Sequence, residues 1–159
     1  MAHFTPSGTG VALVTPFQNG LVDYDGLSAL IEHVITGGVE FVVSLGTTGE
    51  ATSLSDAEQA KVVQHTIDIV AGRVPIVAGQ FGGNNTAQVC EKLRAFDPKG
   101  IAAILSSSPA YVKPSQEGIY QHYMALAEAS PLPIIIYNVP SRTSSNISAA
   151  TIIRLARDS

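Results

Sequence analysis

Val39-Glu40-Phe41-Val42-Val43-Ser44-Leu45-Gly46-Thr47-Thr48-Gly49-Glu50 reads as a buried strand running directly into a glycine-flanked hydroxyl loop. Two further stretches repeat the arrangement. Ile101-Ala102-Ala103-Ile104-Leu105 leads into Ser106-Ser107-Ser108-Pro109-Ala110-Tyr111, and Pro133-Ile134-Ile135-Ile136-Tyr137 leads into Asn138-Val139-Pro140-Ser141-Arg142-Thr143. Together with residues 10–14 and 74–79 these make five strand candidates, spaced by roughly thirty residues, the length of a strand–helix unit. None alternates cleanly between apolar and polar. Runs such as Ile134-Ile135-Ile136 therefore predict strands covered on both faces of a parallel sheet.

Helical periodicity fills the intervals. Leu27, Leu30, Ile31, Val34 and Ile35 follow the spacing of one helix face. Ala60, Val63, Ile67 and Val70 form a second stripe, opened by Ser55 and Glu58 at capping-box spacing. Ala87, Cys90 and Leu93 form a third, capped by Asn84 or Asn85. Ile119, Tyr123, Leu126 and Ala127 follow Ser115, and Ala149, Ile152, Ile153 and Ala156 follow Ser148. The chain thus reads as five consecutive βα units. The loop after the first strand, Thr15-Pro16-Phe17-Gln18-Asn19-Gly20, lacks the glycine pattern of a nucleotide-phosphate loop, which favours a barrel over an open doubly wound sheet. A complete barrel has eight units in about 250 residues. Residues 1–159 are accordingly expected to be the amino-terminal portion of one TIM-barrel domain.

Composition narrows the function classes. Hydrophobic residues make up 45% and charged ones 14%, as suits a globular α/β protein with buried strands. A net charge of -4 argues against nucleic acid or an anionic membrane as partner. No apolar run approaches the length of a membrane span, and no basic-then-apolar leader opens the chain. The single cysteine, Cys90, falls among apolar helix positions and suits a reducing cytoplasm. His3, His33, His65 and His122 are scattered without ligand spacing, so no metal is expected; no other cofactor is expected either. Tyr120 and Tyr123 sit on a helix and read as packing, while Asp23 and Asp25 read as caps of the first helix.

The strand-end loops carry the chemistry. In α/β folds these loops share the carboxyl end of the sheet, where active sites are built. Thr47 and Thr48 join two hydroxyls to flanking glycines that let backbone N–H groups approach an anion, although the same composition also makes an ordinary glycine turn. Tyr137 ends an apolar strand, where its phenol can relay protons or simply pack. Tyr111 lies in a proline-bounded loop in which a large ring is hard to explain as core. Arg142 offers a planar fork suited to a carboxylate, though an exposed loop arginine is the ordinary alternative. The set points to a small carboxylated substrate.

These motifs, in this order, closely resemble those of the dihydrodipicolinate synthase family, whose members are also called 4-hydroxy-tetrahydrodipicolinate synthases. The resemblance runs from Gly8-Thr9-Gly10-Val11-Ala12-Leu13-Val14-Thr15-Pro16-Phe17 to the last helix. It implies a (β/α)8 TIM barrel, usually a cytoplasmic homotetramer, working in lysine and diaminopimelate biosynthesis. It also implies a class I aldolase-type lyase that joins pyruvate to L-aspartate 4-semialdehyde through a lysine Schiff base. By the same resemblance Thr47, Tyr111 and Tyr137 form a proton relay, with Tyr111 reaching a neighbouring subunit. Thr48 binds the pyruvate carboxylate and Arg142 recognises the carboxylate of the aldehyde. The Schiff-base lysine follows a sixth strand absent from these 159 residues, so the chain alone is expected to be inactive. Members inhibited by lysine carry an aromatic where this chain has Ala110 and an acid where it has Gln88, which implies weak inhibition here. Two alternatives stand beside this reading: a related pyruvate-dependent sugar-acid aldolase, and a half-barrel that binds or assembles without catalysing.

Overall fold

The computed structural model describes residues 4–158, so His3 lies outside the described residues. The chain divides into two compact units, residues 4–80 with 99–104 and residues 81–98 with 105–158. The first holds β1 (Gly10–Ala12), β2 (Phe17–Gln18), β3 (Leu21–Val22), α1 (Tyr24–Thr36), β4 (Phe41–Ser44), α2 (Asp56–Val70), β5 (Ile76–Ala78) and the start of β6 (Ala103–Ser107). β4 pairs in parallel with β1 on one side and β5 on the other, and β5 pairs in parallel with Ala103 and Ile104 of β6.

Apolar strands covered on both faces account for the core of this unit. Val42, Ile76, Val77, Ala78, Ala103 and Ile104 are each no more than 3% exposed. A buried valine or isoleucine contributes about 1.5–3 kcal/mol relative to leaving it in water. Leu27 and Ile31 of α1 and Val62, Val63 and Val70 of α2 close over it. Asp23 caps α1 by accepting from the Gly26 N–H, and Ser55 with Glu58 forms the expected capping box on α2. His65 has a structural place: its Nε2 lies 2.8 Å from the Ser28 hydroxyl and 3.0 Å from the Tyr24 carbonyl.

The second unit holds α3 (Thr86–Ala95), the rest of β6, α4 (Gln116–Ala129), β7 (Ile134–Tyr137), α5 (Pro140–Thr143) and α6 (Ala149–Asp158), with β7 beside β6. Its core gathers Phe81, Val89, Cys90, Leu93, Ile119, Leu126, Ile147 and Leu155. The Phe81 and Phe96 rings meet edge to face at 4.9 Å. Tyr123 donates to the Ser106 carbonyl at 2.9 Å, and burial pushes its phenol well above the ordinary value. Tyr120 donates to Asp158, with the Arg154 guanidinium 3.5 Å from its ring centre. His122 is 3% exposed and lies 2.8 Å from the Thr86 hydroxyl, and burial holds its pKa below the ordinary imidazole value. Both tyrosines and this histidine therefore serve helix packing.

The helix faces differ from the sequence stripes at their edges. Ala60, Ala87 and Ala127 are exposed, while Val62, Val89 and Ala129 are buried beside the expected positions. The larger departure is α6, which buries Thr151 and Leu155 and leaves Ile152 and Ile153 at 38% and 52% exposure. Alanine and threonine carry too little apolar area to fix a helix's rotation when isoleucines flank both sides. Asn85 caps α3; Asn84 turns away and accepts from the Ala110 N–H at 2.8 Å. The β2–β3 hairpin was not anticipated. Asn19 and Gly20 at its turn have φ of 53° and 78°, the combination a tight two-residue turn requires.

Candidate active site

In the first unit, β4 ends at Ser44 and the chain turns sharply. Leu45 is 1% exposed yet adopts φ 56°, a left-handed conformation that costs an L-residue about 1–2 kcal/mol. Gly46 and Gly49 are buried, and Thr47 and Thr48 between them are exposed. The Gly49 N–H donates to the Gly46 carbonyl at 3.0 Å and the Glu50 N–H to the Thr47 carbonyl at 3.2 Å, so the loop is a tight double turn. Glu50, at φ 53°, passes the chain into a short 3-10 turn ahead of α2. The hydroxyls of Thr47 and Thr48 enter no hydrogen bond among the described residues, which leaves both donors available to a ligand.

Sequence reasoning overlooked two residues that shape this loop. Thr15 is 4% exposed and its Oγ1 donates to the Gly49 carbonyl at 2.7 Å. Gly79, just past β5, donates its N–H to the Ser44 carbonyl at 2.8 Å. A Cβ at Gly79 would stand 2.7 Å from the Cα and N of Gly46, so only glycine lets the two backbones approach this closely. A signal for Thr15 existed: it falls two residues after the buried Leu13 with exposed Val14 between them, an inward polar residue in a strand-like rhythm.

In the second unit, Tyr111 follows β6 at φ 69° and is 86% exposed. Its N–H donates to the Thr143 carbonyl at 3.1 Å, which ties the tyrosine loop to the turn that carries Arg142. Tyr137 ends β7 half-buried, and the exposed Arg142 lies on α5, a single turn started by Pro140. That turn is closed by its own bonds. The Thr143 N–H donates to the Val139 carbonyl at 3.0 Å, and the Thr143 hydroxyl donates to the Ser145 carbonyl at 2.8 Å. Asn138 holds the following segment, accepting from the Ile147 N–H at 3.1 Å. Thr47 and Thr48 thus share one loop in the first unit; in the second, Tyr111 is tied to the residue next to Arg142, and Tyr137 ends the strand that leads to that turn.

Chemically, the first loop offers short neutral donors to an anion, and the segments of the second unit carry one guanidinium fork and two phenols. Seven described non-glycine residues have a positive φ of 49–69°; five of them, Leu45, Glu50, Tyr111, Lys113 and Ser144, flank these loops, and the other two are Asn19 in the hairpin turn and Ala71 at the end of α2. Left-handed backbone at non-glycine residues gathers where surroundings hold a site in place. Among the described residues no cluster of His, Cys, Asp or Glu has the makings of a metal site, and no helix is long and apolar enough to cross a membrane.

The model of the dihydrodipicolinate synthetase family matches residues 5–159. The chain belongs to this family. It is 52% identical over 152 residues to the 4-hydroxy-tetrahydrodipicolinate synthase of Flavobacterium psychrophilum, covering 95% of this chain and 52% of that protein. It is 48% identical over 159 residues to the enzyme of the same name from Parabacteroides distasonis, covering 99% and 53%. The crystal structure of the chloride-inhibited dihydrodipicolinate synthase from Acinetobacter baumannii, complexed with pyruvate, superposes with a TM-score of 0.90 at 45% identity, covering 96% and 52%. The chain therefore spans about half the length of the dihydrodipicolinate synthases it matches. Its fold class is the (β/α)8 TIM barrel, represented here by five strand–helix units, as expected.

Proposed function

We propose that residues 1–159 are the amino-terminal portion of a single barrel domain in a 4-hydroxy-tetrahydrodipicolinate synthase. The observation that carries this reading is the 52% identity to an enzyme of that name across nearly the whole chain. In this reading a lysine amine attacks the pyruvate carbonyl and releases water to leave an imine. Loss of a methyl proton gives the enamine, whose carbon attacks the aldehyde of L-aspartate 4-semialdehyde. Each step moves a proton, and the hydroxyls of Thr47, Tyr137 and Tyr111 pass protons along without placing a full charge in the site. Thr48 takes the pyruvate carboxylate, and Arg142 takes that of the aldehyde. The enzyme is a cytoplasmic homotetramer in which Tyr111, so exposed here, reaches a neighbouring subunit's site.

The imine-forming lysine belongs to the half of the full-length protein outside these residues. Lys61, Lys92, Lys99 and Lys113 are all exposed. Imine chemistry needs a lysine amine held in a desolvated setting, which an exposed side chain does not have. Borohydride reduction in the presence of pyruvate, read by mass spectrometry, tests the assignment. The full-length protein should gain one pyruvate adduct outside residues 1–159 and should condense pyruvate with L-aspartate 4-semialdehyde. Residues 1–159 alone should gain none. A stoichiometric adduct on Lys113 with turnover would overturn the lysine assignment, and a higher kcat/KM for a sugar-derived aldehyde would move the protein to the sugar-acid aldolases.

A further inference from the structure

Two contacts from opposite sides clamp the threonine loop. The segment after β1 grips its far end, where the Thr15 hydroxyl, buried at 4% exposure, donates to the Gly49 carbonyl at 2.7 Å across 34 residues of sequence. The Leu13 N–H donates to the Val43 carbonyl at 2.9 Å, and the Leu13 carbonyl oxygen lies 3.1 Å from where a Cβ on Gly49 would stand. The near end is pressed by Gly79, where any Cβ would meet the Gly46 backbone at 2.7 Å. Leu45 keeps its left-handed φ of 56° between these two clamps. Such a conformation persists only where its surroundings over-determine it.

Thr47 and Thr48 are the residues between the clamps. A threonine hydroxyl sits one bond beyond Cβ and has a single side-chain torsion, so its position is set almost entirely by backbone. On the reading that Thr48 binds the pyruvate carboxylate and Thr47 relays a proton, we infer that Thr15 is a positioning residue for pyruvate. Its buried hydroxyl, together with the close approach at Gly79, holds the loop in the geometry that accepts the substrate. Removing that hydroxyl leaves the Gly49 carbonyl buried without its donor, and the loop shifts to find another. A displacement of about 1 Å in a positioned group can cost about a hundredfold in rate.

The test measures pyruvate imine trapping by borohydride in the full-length protein, across pyruvate concentrations and without aldehyde. Thr15→Val should raise the half-saturating pyruvate concentration about tenfold or more, the scale of an orphaned buried carbonyl. Thr15→Ser, which keeps the donor, should restore the parent value, and Gly79→Ala should raise it by pushing Gly46 from the other side. Parent half-saturation in Thr15→Val overturns the inference. So does a reduced trapped fraction at unchanged half-saturation, which marks partial unfolding and not misplacement. If Thr15→Val does not fold, Gly79→Ala decides, and a parent value there overturns the inference. Thr48→Val separates this proposal from the reading beneath it. Parent behaviour at Thr48 sinks the carboxylate assignment, whereas an effect at Thr48 with none at Thr15 sinks the positioning role alone.

Discussion

The loop bearing Thr47 and Thr48 and the turn bearing Arg142 are held by opposite means. The first depends on residues far away in sequence: Thr15 holds Gly49, and Gly79 packs against Gly46. The second is closed mainly by its own neighbours, with Thr143 bonding Val139 and Ser145, and takes one distant bond, from the Tyr111 N–H to the Thr143 carbonyl. The difference follows the reach of the side chains. A threonine hydroxyl can be no better placed than its backbone, while a long arginine finds a carboxylate by its own rotations. A short donor therefore demands a tertiary clamp, and a long one needs only a stable local turn.

Tyr137 ends β7 immediately before the arginine turn, and losing its hydroxyl carries the largest expected effect. Tyr137→Phe in the full-length enzyme should lower kcat by about a hundredfold or more, the range of a lost proton-transfer group. Steady-state turnover at saturating substrates reads this, and a kcat within a few-fold of the parent would remove Tyr137 from the relay. Arg142→Ala should have the next largest effect. Losing a charge-assisted contact should cost about 1.5–3 kcal/mol, or about one to two decades in kcat/KM for the aldehyde. Pyruvate imine trapping should be unchanged, and equal losses for both substrates would show that the two loops are not separate anion sites.

A smaller effect is expected beside the threonine loop. Ser55 caps the helix that follows this loop, and Ser55→Ala should destabilise the protein by about 1 kcal/mol. Denaturant midpoints measure the loss. Half-saturating pyruvate should not move, because Thr15 and Gly79 hold the loop and the helix cap does not. A matching rise in half-saturation would transfer the clamping role to α2. The smallest effect is expected from free lysine. Gln88 is exposed near the start of α3, and Ala110 offers only a methyl group. Neither supplies a charge nor an aromatic wall to an ammonium ligand. Initial rates should be nearly flat with added lysine, and sub-millimolar inhibition of the full-length enzyme would contradict this.

Much of the fold was legible because it rests on neighbours in sequence. Five apolar runs at even spacing foretold the five-stranded sheet. The Ser55 and Glu58 pair foretold its capping box to the residue, and Asp23 its cap. Asn19-Gly20 also carried a hairpin signal, but the flanking strands have only two residues each and too little apolar pattern to stand out. Helix rotation was less legible. In α6 the isoleucines at 152 and 153 outweigh Thr151 in any apolar pattern, yet Thr151 is the buried residue. Its hydroxyl lies 2.7 Å from Gln116 Oε1, a partner 35 residues earlier that no periodicity reveals.

The order of the five sheet strands and their helices, the caps, and which loops carry hydroxyls, phenols and the arginine were thus written in local sequence. Those are properties of windows a few residues long, governed by backbone propensity, capping bonds and apolar spacing. Tertiary structure decided how the loops are held: the left-handed turn at Leu45, the bond from Thr15 to Gly49, the backbone contact at Gly79, and the tie from Tyr111 to Thr143. Each joins segments about thirty residues apart, or holds a conformation unfavourable in isolation. Such features exist only after the strands pair, because packing supplies the free energy that local preference opposes.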